Sequence, residues 1–174
     1  MSKPFIGIKA IYYGEPIAEA VTSESLAAWL KKTTTKTVEN VHQDTWSYEQ
    51  SNPEIEDYLN ELDGKIYYRD PKTAGSKTIS FTIGKYNATT KAELCGGTAN
   101  GDVWSAPDEI PLVNKAIVAV TKSGNTIVFT NASIVAKAAA ASKNIGLGVT
   151  AVAMDNNEGV ADEYILWEEV KKGE

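Results

Sequence analysis

Short apolar and β-branched runs separated by turn-forming residues recur along this chain, without the strand–helix–strand alternation that a parallel sheet requires. That pattern restricts the fold to a mainly β class: an antiparallel β-sandwich or small β-barrel with one or two short flanking α-helices. Three hairpins are expected. Residues 64–70 (GKIYYRD) and 76–83 (SKTISFTI) pair through the turn-rich 71–75. Residues 113–122 (VNKAIVAVTK) and 126–137 (TIVFTNASIVAK) pair through Ser123-Gly124-Asn125. Residues 144–154 (NIGLGVTAVAM) and 160–167 (VADEYILW) pair through 155–159. A further strand is expected over 5–13 (FIGIKAIYY), stopped by Gly14.

Two helices interrupt the β pattern. Leu26, Trp29 and Leu30 follow helical spacing, with Ser23 or Ser25 as the N-cap and Lys31 and Lys32 at the C-terminal end, so a short helix is expected at 23–32. Residues 87–95 (NATTKAELC) predict about two helical turns. Thr89 or Thr90 serves as the cap, Glu93 completes a capping box with Thr90, and Gly96-Gly97 forms the stop. The threonine-rich 35–49 reads as one long strand. Val38, Asn40, His42, Asp44, Trp46 and Tyr48 alternate onto one face, and neither face is cleanly apolar. Residues 53–64 fit either a short helix begun by Pro53 or a long loop. One domain spans 1–174, with a long loop or hairpin around 44–64 and a flexible charged tail at 168–174.

Charge and composition remove whole classes of function. With 17 Lys and Arg against 23 Asp and Glu, the chain carries a formal charge of −6, the wrong sign for gripping phosphate backbones. The most apolar stretch, 134–142, is too short to span a bilayer, which needs about 20 residues. The opening Met1-Ser2-Lys3-Pro4 leads into no apolar signal segment, so a cytoplasmic protein without a membrane anchor is expected. The Asn87-Ala88-Thr89 and Asn131-Ala132-Ser133 sequons carry no meaning in that setting.

Candidate chemistry is thin. His42 and Asp44 share a strand face, where a carboxylate orients an imidazole, but a third member of any catalytic set is missing. Cys95 sits at a helix C-terminus, where the dipole opposes thiolate formation. Gly96-Gly97 and Gly101 follow a helix instead of preceding one, unlike a phosphate loop, and Gly146 and Gly148 fit a bulge or the close approach of another backbone. The turn at 155–158 lacks EF-hand spacing. No enzyme activity, cofactor or metal is expected. The aromatic residues say more: Trp46, Tyr48, Tyr58, Tyr67 and Tyr68 crowd a polar span, the composition of a protein–protein contact or of a satellite core. Trp104 reads as a packing anchor in a connecting loop.

The ordered blocks VENVHQDTWSYEQSNPEIEDYLNELDGKIYYRD, SKTISFTIGKYNATTKAELCGGTA, the Trp104 and Pro107 loop, KAIVAVTKSGNTIVFTNASIVAK and NIGLGVTAVAM resemble major tail tube proteins of tailed bacteriophages. The most telling piece is SFTIGKYNATTKAELCGGT, Ser80 to Thr98, in which an F-x-hydrophobic-G-x-Y segment is followed by a short helix and a Gly-Gly stop. The likeness covers roughly Phe5 to Trp167. It implies a structural virion protein that polymerises as stacked hexameric rings, whose inner sheets join edge to edge into a conduit for DNA. The implied partners are further copies of the chain, with tape-measure, tail-tip and tail-terminator proteins. DNA would pass through the lumen without specific binding, and the implied location is the virion tail, after assembly in the host cytoplasm. The acidic balance suits a lumen along which DNA slides. By position, the 44–64 segment corresponds to the family's reach toward a neighbouring subunit or ring, which assigns Trp46, Tyr48 and Tyr58 to subunit contacts. The early helix at 23–32 departs from the family pattern. Tubes of contractile or type VI secretion machines share the architecture and stay open as alternatives, as does a monomeric β-sandwich binding module using Trp104 or Trp46 as a stacking platform.

Overall fold

The computed structural model describes residues 2–156 and 159–173. In chain order the elements are β1 (Ala10–Gly14), α1 (Ser23–Leu30), β2 (Lys36–Thr37), β3 (Ser47–Gln50), β4 (Glu54–Leu59), β5 (Ile66–Thr73), β6 (Lys77–Ile83), α2 (Ala88–Cys95), β7 (Thr98–Asn100), β8 (Val103–Ser105), β9 (Val113–Val120), β10 (Thr126–Ala141), β11 (Asn144–Ala153) and β12 (Glu163–Leu166). The fold is mainly β and antiparallel with two short helices, the class that the strand pattern requires. The principal sheet runs β2-β1-β9-β10-β11-β6-β3, and β12 shares one side of β10 with β11.

Alternation explains why both faces of this sheet are covered. On β9, Ile117 and Ala119 enter a core with Ile11, Phe81, Phe129 and Val149, whereas Ala116 and Val118 pack on the opposite face against Leu26, Trp29 and Leu30 of α1. The long β10 keeps its inward face by one irregularity. Phe129 pairs with Ile117 but Ala132 pairs with Lys115, so one extra residue is inserted and the phase moves from Ile127 and Phe129 to Ala132 and Ile134. Without that bulge, the second half of β10 would turn its apolar residues outward.

The ends of the sheet are joined by one stretch of chain. β2 lies beside β1 and β3 beside β6, and the connection between them bonds to both sides: Val38 N–H donates to Ile11 O, and His42 N–H to Thr82 O. Asn40 Oδ1 accepts from the amides of Gly84 and Lys85 at 3.0 and 2.8 Å, and Thr45 Oγ1 accepts from Thr82 N at 3.1 Å. These side chains take the place of a ladder. The long strand expected at 35–49 is therefore broken into β2, a crossing segment and β3, with Asp44 at φ +59° making the bend.

Three pairings differ from the sequence-based expectation. β5 and β6 are both strands, but β6 carries Ile79, Phe81 and Ile83 into the core and pairs with β11 and β3, while β5 buries nothing and pairs with β4. Residues 53–64 thus form β4 and a turn, neither helix nor loop. Second, β11 pairs with β10 through the tight turn at Ser142 and Lys143, and β12 returns to the first half of β10. The expected 144–154/160–167 hairpin is absent because the small residues Ala138 to Ala140 let β10 continue as far as Ala141; part of its proposed turn, 157–158, lies outside the described residues. Third, the first strand begins at Ala10, since Gly7 adopts φ +65°, and Gly14 belongs to the strand.

Local capping was partly legible. Thr22, not Ser23 or Ser25, caps α1, with Ser25 supplying the return bond to Thr22 N–H. Asn87, not Thr89 or Thr90, caps α2 through Thr90 N–H, and Glu93 instead accepts from the Tyr13 hydroxyl at 2.7 Å. The start of the charged tail is tied down: Val170 is 5% exposed beneath α1, and Thr126 Oγ1 donates to Glu168 O at 2.8 Å. Glu174 lies outside the described residues. Phe81→Ala is expected to lower stability by about 3–5 kcal/mol, whereas Tyr67→Ala on β5 changes it by no more than about 0.5 kcal/mol, as measured by denaturant unfolding.

Candidate assembly surfaces

The β4–β5 pair is the far end of a longer ribbon. Ser47 to Gln50 pair with Lys77 to Ser80, Ser51 N–H donates to Ser76 O at 2.8 Å, and Glu54 to Leu59 then pair with Ile66 to Thr73. The arm leaves the sheet between β3 and β6 and turns at 60–65. Gly75 makes its base possible: φ is +79°, and a Cβ there would meet Ser51 O at 2.2 Å. Tyr58 stacks on Tyr68 with ring centres 5.7 Å apart, and Arg69 pairs with Asp57 at 2.6 Å. Lys72 bridges Glu56 and Asp70, and these carboxylates raise its pKa. These exposed pairs set the register of the ribbon but cover little of it. Leu59, Leu62, Ile66, Tyr67 and Tyr68 are all exposed, Tyr67 at 70%. A two-stranded ribbon with this much open apolar surface is marginal alone, which makes it a candidate contact surface.

The sequence-predicted contact residues divide between arm and core. Tyr58 lies on the arm. Trp46 and Tyr48 instead pack against the main core, with Tyr48 6.2 Å from the Phe129 ring and its hydroxyl donating to Glu163 Oε2 at 2.6 Å. Burial, and then the Glu163 carboxylate, push the Tyr48 phenol above its ordinary pKa. Burial and then Glu93 do the same at Tyr13, which ties β1 to α2. The one aromatic cluster of the sequence thus divides into an inward pair, Trp46 and Tyr48, and an outward set on the arm, Tyr58, Tyr67 and Tyr68, which proximity along the chain did not distinguish.

A second surface was not anticipated. Beyond Ile134, β10 has no partner on the side where β9 ends at Val113. Asn131 O accepts from Met154 N, which places odd-numbered backbone groups of β10 toward β11 and even-numbered ones toward the vacant side. There the carbonyl of Ala136 accepts only the Cys95 thiol, at 2.9 Å, and no backbone partner meets Ala138 or Ala140 among the described residues. The alanine run that extends β10 was the available signal.

The remaining candidates lie apart from the arm. His42, Asp44 and Trp46 line a cleft of about 530 Å³ with Lys122, and no hydrogen bond joins the imidazole to Asp44. Burial raises the Cys95 pKa, against a smaller opposing effect of Lys91. Gly96 and Gly97 stop α2 at positive φ, and a Cβ on Gly146 would sit 3.0 Å from Ile83 O, the close approach of another backbone expected there, and 2.4 Å from the Thr82 methyl. Trp104 donates to Gly96 O at 3.0 Å under the ammonium of Lys91, an anchor on β8 within a small hairpin with β7. No group of three or more His, Cys, Asp or Glu converges to hold a metal ion among the described residues.

No family model matches the chain, and no curated protein does. No helix of the described residues is long and apolar enough to cross a membrane.

The termini meet on the sheet. Lys9 Nζ pairs with Glu169 at 2.5 Å, and this bond chiefly lowers the Glu169 pKa below the ordinary 4.5. A carboxyl depressed in the folded state adds stability above its unfolded pKa and loses it as the pH falls through the folded value. Glu169→Gln is therefore expected to cost about 0.2–1 kcal/mol near pH 7, a gap from wild type that narrows in thermal unfolding as the pH falls through the lowered Glu169 value.

Proposed function

We propose that this chain is a structural subunit that polymerises through its sheet edges and its arm into stacked rings, forming the tube of a phage tail through which DNA is delivered. The observation that carries this reading is the vacant side of the second half of β10 around Ala138 and Ala140, on an antiparallel sheet whose end strand β3 continues into the arm. An open edge is an aggregation hazard unless something pairs with it, and a closed head-to-tail ring covers it in every copy with a different surface of the next copy. The arm then supplies the contact between neighbours, with Tyr58, Tyr67 and Tyr68 on it in place of Trp46 and Tyr48. The resemblance of the ordered segments to tail tube proteins points the same way. In the ring, the β10–β11 ladder would form the inner wall. Its charged side chains are only Lys137 and Lys143, so the acidity of the chain resides elsewhere. The implied partners are copies of this chain, with tape-measure, tail-tip and terminator proteins at the ends of the tube.

Ala138→Pro tests the edge, because it removes an amide that faces the vacant side and leaves the β11 ladder its donors. Sedimentation velocity across a concentration series is expected to show large assemblies for wild type and monomers for the variant, with both giving the same far-ultraviolet circular dichroism. Ala138→Lys, which keeps the amide but adds an edge charge, is expected to act in the same direction. Equal assembly of all three proteins would remove the edge from the account.

A further inference from the structure

A second surface of the chain is the counterpart of the arm in both charge and shape of chemistry. At the seam where the termini meet, Phe5 and Trp167 pack edge to face with centres 5.9 Å apart, and beside them Ile6 is 61% exposed. Lysines gather at this seam: the Lys122 amide donates to Ile6 O and its side chain lies against Gly7, Lys3 and Lys171 act with Lys9 on Glu169, and Lys9, Lys171 and Lys172 line one cleft with Glu169, against the two acids Glu168 and Glu169. The seam is preformed. The buried Asn125 donates to Lys3 O and Pro4 O at 3.2 and 3.0 Å, Lys122 N–H donates to Ile6 O, and Thr126 holds Glu168. One of the two acids is already engaged by Lys9, so the free charge of the patch is positive.

The arm has the opposite composition. Between Glu54 and Thr73 it carries six acids against three bases, so that half of the net −6 of the chain resides on it. The carboxylates of Glu54 and Glu61 make no hydrogen bond or ion pair within the chain among the described residues; Glu54 stands at the base of the ribbon opposite Thr73, and Glu61 at its tip beside the exposed Leu62. No hydrogen bond, ion pair or ring contact joins the arm to the seam of the same chain among the described residues. Two apolar patches with opposite rims, remote in contact within one molecule, form a heterologous pair that propagates from copy to copy.

We propose that the acidic arm of one copy docks on the lysine-rimmed seam of the next, with the arm aromatics against Phe5, Ile6 and Trp167. This inference rests on the assembly reading above and names the acceptor that reading leaves open. Docking would cover the exposed face of the ribbon and neutralise charge on both sides, and its strength would fall with salt, because the rim charges are solvent-facing.

Charge reversal in two halves tests it. Glu54→Lys with Glu61→Lys makes the arm basic, and Lys3→Glu with Lys171→Glu makes the seam acidic. Each double variant alone sets like charges against each other, and is expected to raise the concentration needed for assembly by about ten-fold or more. An equimolar mixture restores opposite charges at every arm–seam contact and is expected to assemble near the wild-type concentration. Sedimentation and negative-stain microscopy read both, with circular dichroism confirming that each variant is folded; Lys122→Glu with Lys172→Glu replaces the seam pair if the first does not fold. Wild-type assembly by either double variant alone, or a mixture that stays dispersed, would overturn the inference while leaving the tube reading in place. Wild-type protein that stays monomeric at every concentration would remove the tube reading and the inference with it.

Discussion

The segment that links β2 to β3 is the constraint on which the rest of this molecule depends. It supplies both end strands of one sheet, so the sheet must curl until its two ends are within hydrogen-bonding reach of the same few residues. Asn40 and Thr45 complete that closure with side-chain oxygens, satisfying amides of Thr82, Gly84 and Lys85 that a ladder would otherwise have to reach. Once the ends are joined, Ile11, Ile79, Phe81, Ile117, Phe129 and Val149 share one interior. The opposite face of β9 and β10 is left to α1 and Val170.

Closure at that end leaves the other features free to project. The ladder of β3 and β6 does not stop at the sheet but runs on through Ser51 and Ser76 into the arm, and Gly75 permits the close passage at its base. The β10–β11 ladder likewise runs past the end of β9. Both extensions consist of backbone that is fully paired on one side and vacant on the other. On the proposed reading, neighbouring copies complete those hydrogen bonds.

Much of this was legible in the sequence, and the gaps have physical causes. The mainly β class, both helices, the Ser123-Gly124-Asn125 hairpin and the close approach at Gly146 followed from periodicity and turn chemistry. Strand partners did not follow, because apolar alternation marks which residues are inward but not which strand lies alongside. The β5 segment GKIYYRD has strand composition and yet buries nothing, and only the absence of inward partners distinguishes it from SKTISFTI. Asn40, His42 and Asp44 alternate like a strand, but the Asn40 side chain and the His42 amide do the work of a crossing. Trp46 and Tyr48 stand within a dozen residues of Tyr58, and the sign of their exposure depends on a ribbon whose register is set at Ser51 and Gly75. The seam was invisible because its members come from both ends of the chain and are brought together across Asn125 and Thr126 in the middle of it.

Acid on the arm, lysine at the seam and a vacant β10 edge are three features of one chain that make sense together when copies stand side by side. Negative-stain electron microscopy of the purified chain over a concentration series tests this most directly. The account predicts rings or hollow tubes of uniform width whose number grows with concentration, as heterologous contacts require. Single, uniform particles of monomer size at every concentration would contradict it.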